Sequence, residues 1–92
     1  MISVTIAGMT LPGEEFVREG LVDLAEGRET ISALLVAIGG PRLKQLGLDV
    51  PVHSITNPEH RLYEKLADED RASAHSRYNA LVRRLVSFER AY

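Results

Sequence analysis

The sequence has no cysteine and no tryptophan, and aromatic residues make up only 5% of it. Without cysteine, disulfides, thiolate nucleophiles and Cys-based zinc sites are all excluded. The longest apolar run, "ALLVAI" from Ala33 to Ile38, falls far short of the roughly 20 residues that cross a bilayer. No basic segment leads into an apolar stretch at the start, so no signal peptide is expected and a cytoplasmic protein is the default. Internal repeats and low-complexity segments are absent as well.

What is present is an ordinary globular composition, 45% hydrophobic and 26% charged. Its 92 residues suffice for one domain, which we expect to span the chain as an arm at 1–8 and a body at 9–92. So short a chain buries only roughly 60 to 65% of its unfolded surface, which makes oligomerisation a natural source of added stability. The formal charge of −2 is unevenly spread. Residues 1–40 carry Glu14, Glu15, Glu19, Asp23, Glu26 and Glu29 against Arg18 and Arg28, whereas 71–92 carry Arg71, Arg77, Arg83, Arg84 and Arg90 against Glu89. Acidic and basic elements that pack together, within the chain or across a dimer, explain such a split; a nucleic-acid surface is the other explanation.

Periodicity predicts a mainly α fold, a compact bundle of four to five short helices behind a short N-terminal extended or β arm. Residues 2–8, "ISVTIAG", alternate as a half-buried strand does, and 50–56, "VPVHSIT", is the one comparable stretch, with Pro51 confining it to an edge or an irregular path. Met9 would serve equally well as a start.

A first helix follows Pro12-Gly13, with Phe16, Val17, Leu21, Leu24 and Ala25 as its stripe, Gly20 on the same face for a close helix approach, and Gly27 as its stop. The second, "RETISALLVAIGG", is apolar nearly all round, is expected to be the most buried, and should end at Gly39-Gly40. Pro41 then opens a short helix with Leu43, Leu46 and Leu48 inward. Asn57 as N-cap and Pro58 at the first position start the next helix, which buries Leu62, Tyr63 and Leu66. If that helix ran on, Asp70 would enter the apolar stripe. A break at 68–70 with an aspartate capping a final helix avoids that cost.

On the final helix Ala74, Tyr78, Leu81, Leu85, Phe88 and Tyr92 recur at alternate spacings of four and three, a heptad-like seam suited to lengthwise helix packing. Tyr78, Leu81, Leu85, Phe88 and Tyr92 are the expected interface residues. Arg71, His75 and Asn79 lie on one flank of the seam. With Tyr78 they are the catalytic candidates: His75 as general acid or base, Arg71 on a phosphate-like anion, Tyr78 or Asn79 orienting substrate. As a small helical chain with Arg and His on a late helix, the protein resembles the HEPN ribonucleases, which carry that pair beside a dimer interface. The resemblance implies a weak ribonuclease or nucleotide-acting protein using Arg71 and His75. Arg71-x-x-x-His75 is one residue shorter than the Arg-x(4 to 6)-His of that family, and no family is identified on it. The structural alternative has Arg71 and His75 rimming a helix contact and bonded to the acids at 68–70.

His60 and Glu64 stand one turn apart, with His53 nearest, but two ligands do not define a site, so neither metal nor cofactor is expected. Glu14-Glu15 and Asp68-Glu69-Asp70 read as helix-start acids. "AIGGPRLKQLG" lacks the order of a phosphate loop. Arg83 and Arg90 form the most exposed basic row, the candidate for nucleic acid. Since no catalytic set is complete, the leading expectation is a small non-catalytic interaction module, a homodimer or the accessory subunit of a larger bacterial complex.

Overall fold

A computed structural model describes residues 11–92, so the extended arm expected at 1–8 lies outside the described residues. Four helices form the body: α1 Glu14–Ala25, α2 Ile31–Gln45, α3 Pro58–Glu69 and α4 Ala74–Ala91, the last preceded by a single 3-10 turn, Arg71–Ser73. The mainly α expectation holds. Residues 50–56 are irregular, and no strand occurs among the described residues. No helix among them is long and apolar enough to cross a membrane.

The most apolar helix takes the centre. α2 packs against α1, α3 and α4, and Ala33 to Ala37 are all buried, as its all-round apolar sequence requires. From α1 come Phe16, Val17 and Leu24, from α3 Leu62 and Leu66, and from α4 Ala74, Leu85 and Phe88. Two glycines set how closely these helices approach. A Cβ on Gly20 would stand 2.5 Å from Val36 Cγ2 and nearer still to the Ser32 carbonyl, so α1 lies directly against the α2 backbone. A Cβ on Gly39 would stand 3.1 Å from both Leu85 methyls, which admits α4 on another side.

That second contact corrects the expected end of α2. The helix continues through Gly39, Gly40 and Pro41 to Gln45. Pro41 removes one helical hydrogen bond, a cost of about 3 kcal/mol in an unsupported helix interior. The fully buried Leu43 in the following turn supplies the tertiary reason to continue, and packing overrides local propensity. Leu46 and Leu48 are only half-buried.

The phase argument for a break after α3 is correct. Asp70 is extended and ends α3, its Oδ1 accepts from Ala72 N at 3.2 Å and its Oδ2 from Ser73 Oγ at 2.9 Å. Three smaller expectations fail. Asn57 occupies the N-cap position of α3 in a left-handed conformation and its side chain makes no cap hydrogen bond, so Pro58 with its preset φ carries the helix start. Tyr63 lies at the edge of the α3 stripe and is exposed. Ala25 also faces solvent, while Gly20 and Asp23 take the buried places of α1.

Candidate functional site

The break at Asp70 sets α3 and α4 side by side, and their adjoining turns bring four of the anticipated residues to one surface. His75, in the first turn of α4, is exposed, and Asn79 one turn later places its Nδ2 3.3 Å from His75 Nε2, a geometry in which the amide donates to an unprotonated ring nitrogen. Tyr63 reaches across from α3. Its ring lies 5.8 Å from that of Tyr78 and meets His75 edge-on at 6.4 Å, so three rings form one plate. Such tilted and edge contacts suit aromatic quadrupoles. Burial, and then the carboxylate of Glu59, push the Tyr78 hydroxyl above its ordinary value. Arg71 is exposed in the 3-10 turn.

Sequence reasoning placed Tyr63 in the core and so missed a member of this group. The available signal was its position at the margin of the Leu62–Leu66 stripe, where a tyrosine can bury its ring edge and keep its hydroxyl wet.

The bonding differs from what either sequence reading required. Among the described residues no carboxylate lies within ion-pair distance of Arg71 or His75; it is Arg77 that meets Glu69, Nη1 to Oε1 at 2.9 Å. His75 pairs with a neutral amide and faces solvent, without the enclosure that strengthens electrostatic catalysis. The remaining pairs are equally open. His60 Nε2 and Glu64 Oε2 are 3.4 Å apart with both side chains mostly exposed. No three metal-ligating side chains converge among the described residues, and His53 spends its Nδ1 accepting from Ile55 N at 3.2 Å.

The seam of α4 is largely used within the chain. Leu85 and Phe88 are each 3% exposed, and Tyr78 and Leu81 pack partly on the same core. Tyr92, 54% exposed, tilts against Phe88 with ring centres 5.5 Å apart. Of the five expected interface residues, then, only Tyr78, Leu81 and Tyr92 offer surface to a partner. Arg83 and Arg90 are exposed as expected, while Arg84 lies 5.3 Å over the Phe16 ring and ties α4 to α1 by a cation–π contact. No carboxylate of α1 bonds to an arginine of α4 among the described residues, so these two oppositely charged helices do not meet through direct ion pairs.

A cleft of about 490 Å³ opens elsewhere, between α1, the start of α2 and α3, lined by Glu19, Asp23, Arg28, Thr30, Lys65 and Glu69. Its inner polar groups are engaged. Asp23 Oδ1 accepts from Arg28 Nε at 3.1 Å and Nη2 at 2.8 Å, and Oδ2 accepts from Thr30 Oγ1 at 2.7 Å. Thr30 in turn accepts from Ala33 N and so caps α2, and Ser32 donates to Glu19 at 2.7 Å. The Thr30 hydroxyl and then the Arg28 guanidinium hold the Asp23 carboxyl below its ordinary range. These contacts tie the corner after α1 and the first turn of α2 to α1, and they engage the side chains of Glu19, Asp23, Arg28, Thr30 and Ser32. No family model, characterised protein or solved structure matches the chain.

Proposed function

We propose that the chain is a small non-catalytic helical interaction module, a homodimer or the accessory subunit of a larger complex. The observation that carries this reading is the open plate of Tyr63, Tyr78 and His75 on α3 and α4. Tyrosine supplies large contact area at low entropic cost and is enriched where one protein anchors on another. Leu81 and Tyr92 extend the same helix with further partly open apolar surface. A substrate site makes the opposite demands, namely concavity, desolvation and a pKa-matched pair of groups. The candidates Arg71, His75 and Asn79 are all exposed and meet none of these.

Sedimentation equilibrium between about 1 and 100 µM tests the reading, a range that brackets the micromolar affinity of a weak specific dimer. The expected result is a concentration-dependent dimer that Tyr63→Ala and Leu81→Glu shift to monomer while circular dichroism stays unchanged. A monomer throughout removes the homodimer and leaves the accessory-subunit form. RNA cleavage that vanishes in a folded His75→Ala variant would overturn the non-catalytic reading altogether.

A further inference from the structure

The outward face of α4 carries two exposed arginines, Arg83 and Arg90. Arg18, Arg28, Arg61 and Arg77 each meet a carboxylate. Arg83 and Arg90 have none within 4.0 Å among the described residues, and neither has Arg71 just before the helix. At 100° per residue His75, Asn79, Arg83 and Arg90 fall within about 80° of arc, a single ridge that turns away from the seam. All four are exposed. The one acid of α4, Glu89, leans to the inner side, where its Oε2 lies 3.1 Å from the Cβ position of Gly39.

Resting on the interaction-module reading, we infer that this ridge receives an acidic helix of a different protein, with carboxylates two turns apart set against Arg83 and Arg90. Seven residues of helix separate the two guanidinium groups by about 10 Å along the axis, the same repeat that a facing helix offers between its own i and i+7 positions. Arginine is the side chain suited to this pairing, because its planar fork grips a carboxylate through two parallel hydrogen bonds. On the N-terminal side of Arg83, Asn79 and His75 continue the ridge with hydrogen-bonding groups that add register.

Two other occupants fit less well. Nucleic-acid affinity grows with the number of phosphates neutralised. Here two cations about two turns apart belong to a chain of net charge −2. A continuous polyanion would meet few contacts and some repulsion. A second copy presenting the same ridge would set arginine against arginine.

The test uses the whole chain and a fluorescein-labelled helical peptide of about fifteen residues with glutamates on one face at i, i+4 and i+7, a spacing that keeps them on one side. Its glutamine counterpart and an oligouridylate of about twelve nucleotides, long enough for several phosphate contacts, are the comparisons. We expect the acidic peptide to bind at micromolar concentration, at least tenfold tighter than either comparison and more weakly as salt rises. The double variant Arg83→Glu/Arg90→Glu should lose this binding, and Arg83→Lys/Arg90→Lys should keep part of it, both with unchanged helix content.

Absence of peptide binding, equal binding of the glutamine peptide, tighter binding of the RNA, or an undiminished affinity in the glutamate variant would each overturn the inference. So would a salt-sensitive self-association that the glutamate variant abolishes, since the occupant would then be a second copy. Sedimentation of the same samples separates the two proposals: a dimer that persists in Arg83→Glu/Arg90→Glu, with no peptide binding by the wild type, removes the acidic partner and leaves the interaction module.

Discussion

The corner between α1 and α2 and the corner between α3 and α4 both reverse the chain after a twelve-residue helix, and they do so with different chemistry. At the first, Gly27 turns left-handed, Arg28 N donates to Asp23 O at 2.8 Å and Gly27 N to Leu24 O at 3.2 Å, the paired bonds of a Schellman end. The side chains of Asp23, Arg28 and Thr30 then close a polar lock whose central carboxylate is buried. At the second, one exposed aspartate ends α3 and caps the 3-10 turn, its Oδ1 accepting from Ala72 N and its Oδ2 from Ser73 Oγ. The first corner fixes the pair of helices that meet backbone to backbone at Gly20. The second holds α3 and α4 together lightly and leaves their rings and arginines on view. Rigidity and display are thus divided between the two ends of one small chain.

If this division is correct, damage should be graded. Gly20→Ala should have the largest effect, about 3 kcal/mol of lost stability in urea unfolding, because the Ser32 backbone cannot step aside from a new methyl group. Thr30→Ala should cost about 2 kcal/mol, the upper end for an N-cap, since it also deprives Asp23 of a donor.

Acid should weaken the same corner first. The folded value of Asp23 is depressed below 3.8, so its stabilisation is complete above that pH and is lost as pH falls through the folded value. Unfolding midpoints followed from about pH 6 to about pH 2 should therefore decline less steeply in Asp23→Asn than in the wild type, although the variant is less stable at neutral pH. At the opposite corner Asp70→Ala should cost only about 1 kcal/mol, with faster amide exchange confined to the start of α4. Smallest of all, His75→Ala should stay within about 0.5 kcal/mol, as exposed positions do. A larger loss there would show that the second corner is as structural as the first.

The sequence made the second corner legible and hid the first. Continuing α3 through Asp70 would have buried a carboxylate in a stripe of apolar residues, and that single conflict located the break. Gly20 on the stripe of α1 likewise announced a close helix contact. The polar lock gave no periodic signal: Asp23, Arg28 and Thr30 are ordinary residues near a helix end, and only the left-handed Gly27 brings their side chains together. The run of α2 past Gly39-Gly40-Pro41 was also invisible locally, because its cause, the burial of Leu43 and the approach of Leu85, lies in other parts of the chain. For the candidate site, helical phase put His75, Asn79 and Arg71 on one flank, but the partner ring of Tyr63 belongs to another helix and required the fold.

The end of α2 repeats the end of α1: Gly47 is left-handed, Leu48 N donates to Leu43 O and Gly47 N to Lys44 O. Both glycines are exposed and nothing stands within 4 Å of an L-configured Cβ at either, so what each position demands is mirror-image backbone and not room. A chain of this length is within reach of chemical ligation, and D-alanine at 27 and 47 should be accepted there, even stiffening the unfolded chain, where L-alanine would distort both turns.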